Sequence, residues 1–242
     1  MDQDQDNFLG KSIDAWAYTP AVKESTGTTL VAVEYTDGVV LGADSRTSAG
    51  TFVSCRVSNK LTCVTPHIYA CRSGTSADTK AITDIVKYRL DILRQVERKE
   101  PTVYRASQIF RQFCYDYRDS LSASILCTGW DAEKGGQVYS IPIGGLVTRQ
   151  RATAAGSGST FIHGFLDSNW RPDMTKQQAE QFVLHAVRHA MYRDGSSGGV
   201  CRLGFVTKDG MELKLFTLDS TKSPLPDFVK PEPYPVNALS EW

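Results

Sequence analysis

The sequence predicts an α+β fold in which two stacked β-sheets lie between two layers of helices. Three observations support this prediction. The expected elements follow the chain in the order strands, two helices, strands, two helices, strands. The expected strands contain near-continuous apolar runs, which is typical of sheets buried on both faces. The chain also has 242 residues, of which 41% are hydrophobic, and this is enough for a core that needs neither disulfides nor metal.

The first half of the chain is expected to form four strands followed by two helices. β-Branched and apolar residues predict the strands, and a turn at 36–38 separates the first two. Apolar residues at helical spacing predict the helices. The predicted strands are residues 28–35, 39–44, 60–64 and 68–71, and the predicted helices are residues 76–98 and 106–117.

The second half returns to strands, then helices, and closes with a hairpin. Small residues at 154–159 predict a loop before the second pair of helices, and Lys208-Asp209-Gly210 predicts the turn of the hairpin. The predicted strands are residues 123–128, 137–141, 202–206 and 212–217, and the predicted helices are residues 160–168 and 175–192.

Three segments follow from these patterns. Residues 1–27 lack periodicity and contain five acidic and two basic residues, so they fit neither a secretory signal nor a transit peptide. We expect them to be either a solvated tail or a removable pro-segment. Residues 28–219 contain no linker and are expected to form one domain. Residues 220–242 contain five prolines and are expected to form an extended C-terminal tail.

Charge and hydropathy exclude several classes of function. The chain has 27 basic and 27 acidic residues, whereas nucleic-acid binding requires a basic excess on one face. No apolar run approaches the length of a membrane span. We therefore expect neither a nucleic-acid partner nor a membrane.

Cysteine and histidine spacing gives no metal site. None of the six cysteines forms a C-x-x-C pair, and we expect reduced thiols in the core, four of them on strands: Cys63, Cys71, Cys127 and Cys201. His185 and His189 are four residues apart on one predicted helix, which is a metal-compatible spacing. They have no adjacent Glu and no evident third ligand, so we expect two partly exposed histidines and no metal. No cofactor is expected either.

The junction between Gly27 and Thr28 suggests a nucleophile that is made by cutting the chain. A threonine hydroxyl is a weak nucleophile and needs a neighbouring base. A chain that begins with threonine carries its own base, because the α-amino group titrates near ~8 in model peptides. A nearby Lys60 would lower that pKa, and a buried Asp44 would hold the lysine in place. Glycine permits the unusual backbone angles needed for self-cleavage by an N→O acyl shift.

At these positions the sequence resembles the catalytic β subunits of the eukaryotic core proteasome. The resemblance covers about residues 28–219. It implies the N-terminal-nucleophile hydrolase form of the αββα sandwich and a threonine protease. The motifs that carry it are Thr28–Val33, Gly38–Arg46, Asn59-Lys60-Leu61, Cys71-Arg72-Ser73-Gly74, Ala77-Asp78-Thr79 and Asp194–Gly199.

The resemblance also implies residue roles. Thr28 would be the nucleophile and its freed amine the general base, with Asp44 and Lys60 as the charged support pair. The Gly74 backbone N–H would donate to the oxyanion, where losing a donor typically costs ~10²–10³ in rate. The residues expected to hydrogen-bond around the terminal amine are Ser157, Asp194 and Ser197.

Among the catalytic β types, the sequence resembles the caspase-like, or β1, type. Arg72 precedes Ser73-Gly74, so its guanidinium is expected at the floor of the primary specificity pocket. There it would pair with an acidic substrate side chain and repel a basic one. Thr47, Ser58 and Thr79 are expected to help line this pocket.

The same resemblance implies a setting. It implies other proteasome α and β subunits as partners in a stacked four-ring assembly, unfolded polypeptides from ubiquitin-tagged proteins as substrates, and a location in cytoplasm and nucleus. Two alternatives remain. One is a non-catalytic ring member, which would usually lack the Gly-Thr junction, the lysine or the aspartate. The other is a self-cleaving amidase that acts on small amides.

Overall fold

The computed structural model describes residues 25–49 and 52–217. The predictions for the C-terminal tail and for nearly all of the pro-segment lie outside the described residues. The strands are β1 (Ser25–Thr26), β2 (Leu30–Tyr35), β3 (Gly38–Ala43), β4 (Thr47–Ala49), β5 (Phe52–Cys55), β6 (Leu61–Thr65), β7 (Ile68–Thr75), β8 (Ala123–Asp131), β9 (Gly135–Ile141), β10 (Thr148–Arg149), β11 (Ala152–Ala155), β12 (Cys201–Thr207) and β13 (Gly210–Phe216). The helices are α1 (Ser76–Glu97), α2 (Val103–Asp116), α3 (His163–Asn169) and α4 (Lys176–Arg193), with a 3₁₀ turn at Ser157–Phe161.

The described strands form two antiparallel sheets and a small hairpin. The first sheet has the order β1-β7-β8-β9-β10, with β6 also paired to β7, and the second has the order β11-β2-β3-β12-β13. Strands β4 and β5 pair only with each other. Because β2 and β3 are joined by a tight turn, Leu30 lies opposite Ala43. The residues just before β2 and just after β3 therefore meet at one end of the second sheet.

Three apolar clusters define four layers. One lies between the sheets and includes Leu41 of β3 and Leu126 of β8. A second lies between the first sheet and helices α1 and α2, and includes Phe110. A third lies between the second sheet and helices α3 and α4, and includes Val183. The predicted order of helices, sheet, sheet and helices is confirmed, and each sheet is buried on both faces.

Helix α4 is fixed in a way that matters for the site. Thr175 caps its first turn in a capping box with Gln178, each side chain bonding to the other residue's backbone N–H. The helix ends at Arg193, and Asp194 follows as its C-terminal cap. The loop that leads into β12 therefore starts from a rigid helix end.

Four local predictions were wrong. Strand β2 begins at Leu30, and Thr28 and Thr29 lie outside it. The loop predicted at 154–159 is wrong at Ala154 and Ala155, which end strand β11 (Ala152–Ala155), because this strand pairs with β2 along its whole length. The β4–β5 hairpin was not predicted. Strand β7 continues through Thr75, four residues beyond the predicted end.

The expectations for cysteine and histidine were confirmed in part. All six cysteines are unpaired thiols, and burial raises the pKa of Cys71 and of Cys201 to about 12. Cys63 is exposed, contrary to expectation, because it lies where β6 departs from regular pairing with β7. His185 is buried rather than partly exposed, because its ring stacks on Phe165.

The described residues contain neither a metal-binding cluster nor a helix that could span a membrane. No group of three or more His, Cys, Asp or Glu side chains could hold a metal ion. None of the described helices combines the length and the apolar character that crossing a membrane requires.

Candidate active site

The residues predicted to support Thr28 converge on it from three strand ends. Thr28 and Thr29 precede β2, and Asp44 follows β3 on the neighbouring strand. Lys60 precedes β6 in the other sheet, where its backbone carbonyl accepts a hydrogen bond from the Arg72 N–H at 3.2 Å. The site therefore lies where the two sheets end together, and each side chain is held by a paired strand.

Lys60 is the centre of this group. Its Nζ donates to Asp44 Oδ1 at 2.7 Å, to the Gly27 carbonyl oxygen at 2.8 Å and to Thr28 Oγ1 at 3.1 Å. Thr28 and Asp44 are fully buried, and Lys60 is 5% exposed. One ammonium group thus contacts both the predicted nucleophile and the carbonyl of the peptide bond that precedes it.

Burial and the neighbouring carboxylates shift the pKa of Lys60 in opposite directions. Burial lowers the pKa of Lys60, whereas the adjacent Asp44 carboxylate acts to raise it, as does the more distant Asp194. The net direction is downward, so the neutral amine is more accessible than in an exposed lysine.

A second cluster surrounds the Thr28 nitrogen. The Thr28 N–H donates to Ser157 Oγ at 3.1 Å. Ser157 and Ser197 each donate a hydroxyl hydrogen to Asp194 Oδ2 at 2.6 Å. Ser196 donates to the other oxygen, Oδ1, from its hydroxyl at 2.6 Å and from its backbone N–H at 3.0 Å. Burial acts to raise the pKa of Asp194, but these hydrogen bonds outweigh it and hold the pKa below its ordinary value.

Two residues next to Asp44 connect the clusters. The Ser45 N–H donates to the Gly198 carbonyl at 3.0 Å, and its Oγ accepts from the Val200 N–H at 2.8 Å. The Arg46 guanidinium donates to the Gly195 carbonyl at 2.8 Å. These bonds fix the loop after α4 against the end of β3, so the two clusters have one relative position.

Gly27 is required for a reason that the sequence did not reveal. Its φ is not in the left-handed region, so backbone freedom is not what this position needs. A Cβ built on Gly27 would collide with the side chain and the main chain of Ser196. Close approach of the loop after α4, rather than an unusual backbone angle, therefore selects glycine here.

The segment before Gly27 lies along β7. Ser25 and Thr26 pair antiparallel with Thr75 and Gly74. Gly74 has φ of +108°, and a Cβ there would collide with the Ser122 carbonyl oxygen. The predicted oxyanion donor is thus the strand partner of Thr26, one residue from the Gly27–Thr28 bond.

Arg72 lies on β7, two residues before Gly74. Its side chain is half-buried, and its Nε is buried with no hydrogen-bond partner among the described residues. Burial lowers the pKa of the guanidinium, while Asp84 acts to raise it. A buried N–H without an acceptor is energetically costly unless a ligand supplies one.

The other three predicted pocket residues are engaged within the protein. Thr47 donates its hydroxyl hydrogen to Ser58 Oγ at 2.8 Å, and Ser58 donates to the Ser45 carbonyl at 3.1 Å. The Thr79 hydroxyl is bonded to carbonyls at the start of α1. Their role in substrate binding stays a prediction.

Sequence reasoning brought the predicted residues together but missed four of their neighbours. Thr29, Ser45, Arg46 and Ser196 all lie within motifs that carried the resemblance. Their presence there was the only available signal. Nothing in the local spacing shows which hydroxyl faces which carboxylate.

The fold agrees with comparisons to known proteins. A family model described as "Proteasome subunit" matches residues 24–206. The chain therefore belongs to the proteasome subunit family, and its relatives place it among the β subunits.

Its similar relatives include three β subunits. "Probable proteasome subunit beta type-1" of Schizosaccharomyces pombe is 46% identical over 202 residues, covering 84% of this chain and 89% of that protein. "Proteasome subunit beta type-1" of Saccharomyces cerevisiae is 44% identical, covering 81% and 90% respectively. "Proteasome subunit beta type-9" of Homo sapiens is 45% identical, covering 77% and 85%. Family membership implies assembly with other proteasome subunits.

Proposed function

We propose that this chain is a threonine endopeptidase subunit that cuts its own Gly27–Thr28 bond and then cleaves other polypeptides. The observation that supports this most strongly is the position of Lys60 Nζ, within 3.1 Å of both the Thr28 hydroxyl and the Gly27 carbonyl oxygen. A structural subunit would not need a buried lysine at that point. Burying a charge is costly unless it is paired, so such an arrangement has to be compensated.

Self-cleavage proceeds as an acyl shift. Thr28 Oγ1 attacks the Gly27 carbonyl carbon, and Lys60 stabilises the negative charge that develops on the carbonyl oxygen. The C–N bond then breaks, the nitrogen gains the proton that the hydroxyl lost, and Gly27 is left as an ester on Thr28. Water hydrolyses the ester, which releases residues 1–27 with a C-terminal carboxylate and frees both groups of Thr28.

The mature enzyme uses the new amine as its base. A free α-amino group titrates near ~8, and the neighbouring Lys60 charge lowers that value further. The amine takes the Thr28 hydroxyl proton as Oγ1 attacks a substrate carbonyl, and returns it to the leaving nitrogen. Water then hydrolyses the acyl-enzyme. Ser157, which is itself bonded to Asp194, holds the amine in place through the contact that now holds the Thr28 N–H.

The proposed specificity is for acidic residues before the cleaved bond. Arg72 supports it, because its half-buried guanidinium keeps a buried N–H for which the described residues supply no acceptor. A carboxylate would satisfy that donor with a charge-assisted hydrogen bond. The similarity to β type-1 relatives agrees with the same assignment.

We further propose the setting that the family suggests. The subunit would act within a stacked four-ring particle, on unfolded chains from ubiquitin-tagged proteins, in cytoplasm and nucleus. Retention of Gly27-Thr28, Asp44 and Lys60 argues against a non-catalytic ring member. Membership of the proteasome family argues against a free-standing amidase of small substrates.

The test uses particles assembled with their other subunits. Mass spectrometry of the wild-type chain should show an N-terminus at Thr28. Thr28→Ala should retain residues 1–27 and abolish cleavage of acidic-site peptides by this subunit. Thr207→Ala is the matched control, since it removes a hydroxyl at the opposite end of the second sheet. An intact Met1 in active wild-type particles, or activity in Thr28→Ala, would refute the proposal.

A further inference from the structure

Thr29 contacts both clusters that surround Thr28. Its backbone N–H donates to Asp44 Oδ1 at 2.9 Å, the same oxygen that Lys60 contacts. Its hydroxyl donates to Ser197 Oγ at 2.8 Å. Thr29 is fully buried. One residue thus joins the lysine–aspartate pair to the hydroxyl cluster, although it belongs to neither set of predicted catalytic residues.

The Thr29 hydroxyl heads a directed chain of hydrogen bonds. Ser197 has a single hydroxyl hydrogen, which it donates to Asp194 Oδ2 at 2.6 Å, so its oxygen accepts from Thr29. Asp194 Oδ2 also accepts from Ser157, the residue that holds the Thr28 nitrogen. Hydrogen bonds in such chains polarise and strengthen one another. The Thr29 hydroxyl therefore acts on the orientation of Asp194 through Ser197.

The space around this hydroxyl is closed by a second feature. A Cβ built on Gly158 would collide with Thr29 Oγ1 and lie 3.2 Å from Ala190 Cβ. The Gly158 N–H meanwhile donates to the Thr28 carbonyl at 3.1 Å. The main chain beside Ser157 thus packs directly on the Thr29 hydroxyl, which leaves it little freedom to turn away from Ser197.

We propose that Thr29 is a positioning residue for the nucleophile. Its hydroxyl, through Ser197, holds Asp194 and Ser157 against the Thr28 nitrogen, both in the precursor and in the mature enzyme. This inference rests on the proposed function. The two hydrogen bonds of Thr29 go to Asp44 and Ser197 and not to Arg72 or β7, so Thr29 affects turnover and self-cleavage but not substrate binding.

The main test removes only the hydroxyl. Thr29→Val keeps the shape of the side chain, and Thr29→Ser keeps the donor. In assembled particles we expect Thr29→Val to lower kcat about tenfold with KM unchanged and to slow self-cleavage by a similar factor. We expect Thr29→Ser to restore kcat to within about threefold of wild type. A tenfold change corresponds to about 1.4 kcal/mol. Thr128→Val is the matched control, because it removes a buried hydroxyl whose one hydrogen bond among the described residues is to the Tyr69 carbonyl. It should leave kcat unchanged.

A double-variant cycle tests the route of the effect. If Thr29 acts through Ser197, then Thr29→Val should slow a Ser197→Ala enzyme little or not at all. If the two substitutions instead lower kcat by the product of their single effects, the inference is overturned. A wild-type kcat in Thr29→Val, or a failure of Thr29→Ser to restore kcat, would also overturn it. Should Thr29→Val not assemble, Thr29→Cys takes its place, because a thiol is a weaker donor. It must then be slower than Thr29→Ser, and equal rates would overturn the inference.

Failure of the inference is distinguishable from failure of the proposed function. If the proposed function is wrong, the wild-type chain lacks a Thr28 N-terminus or Thr28→Ala remains active. If only the inference is wrong, the wild type is processed normally and Thr29→Val matches it in kcat.

Discussion

At the scale of single residues, the site depends on how each carboxylate is hydrogen-bonded. Asp44 accepts from Lys60 and from three backbone N–H groups, those of Thr29, Arg46 and Gly198. Asp194 accepts mainly from hydroxyl groups. One carboxylate is therefore fixed by the main chain, and the other by side chains that substitution can remove singly.

Ser196 gives a pH-dependent prediction. The pKa of Asp194 is lower in the folded protein than its ordinary value of 3.8. The charged carboxylate therefore stabilises the fold above that pH, and the contribution is lost as the pH falls through the lowered pKa. Ser196→Ala removes one hydroxyl donor, so the pKa should rise towards 3.8, and the loss of stability that Asp194 causes in acid should become smaller and be complete at a higher pH.

Thermal unfolding of assembled particles, followed from about pH 5 down to values below 3.8, measures this loss of stability. Asp194→Asn is the control, because an amide cannot titrate there and this part of the pH dependence should disappear. Identical melting profiles for wild type and Ser196→Ala would contradict the role given to that hydroxyl.

Arg72 gives a prediction about specificity. Arg72→Glu replaces the positive charge that is proposed to face the substrate side chain by a negative one. An acidic side chain should then be repelled and a basic one attracted. We expect kcat/KM for acidic-site peptides to fall by roughly 10- to 100-fold relative to basic-site peptides. Lys87→Glu makes the same charge change on the exposed face of α1 and should leave the ratio unaltered. An unchanged ratio in Arg72→Glu would assign the preference to other residues.

At the scale of elements, helix α4 leads into the loop that carries Asp194, and its N-terminal cap lies at the opposite end. Thr175 bonds to the first turn at the far end of the helix, about 18 residues from that loop. The cap contributes to the stability of the helix, while the site is held by the bonds of Ser45, Arg46 and Thr29. Stability and turnover should therefore respond differently to its loss.

Thr175→Ala should lower stability by about 1 kcal/mol, since this is the usual cost of losing an N-cap side chain. Thr102→Ala, at the cap of α2, should cost a similar amount. Denaturant unfolding gives the free energies, and kcat should match wild type in both variants. A large loss of kcat in Thr175→Ala alone would mean that the helix end moves the Asp194 loop.

The elements that sequence predicts are those whose own residues favour them. β2 and β3 have continuous β-branched and apolar residues, and α1 and α4 have long helical periodicity. Strand β11 has alanines instead, and its conformation comes from pairing with β2. Local propensity contains no record of such a partner, so tertiary pairing had to be seen in the structure.

The site divides in the same way. Thr28, Asp44 and Lys60 lie beside predictable strand ends. The meeting of Thr28 and Asp44 follows from the turn between β2 and β3, whereas Lys60 reaches them from the first sheet. Thr29 and Ser197 are 168 residues apart in the chain. Their contact depends on how the loop after α4 packs, and a single sequence does not specify that packing.

At the scale of the whole molecule, the site forms only when both sheets are in place. Lys60 comes from the first sheet, whereas Thr28 and Asp44 flank strands of the second. The apolar cluster between the sheets, which includes Leu41 and Leu126, holds those two parts together. A partly folded chain therefore lacks Lys60 beside Thr28, and on the proposed mechanism self-cleavage has to follow folding.

The pairing of Ser25 and Thr26 with β7 has a further consequence. On the proposed mechanism, a substrate polypeptide would bind to backbone groups of β7 that Ser25 and Thr26 of the pro-segment already occupy. On that mechanism, a newly made subunit cannot cleave other proteins. It would gain that activity only when the Gly27–Thr28 bond is cut, which is the same step that frees the Thr28 amine.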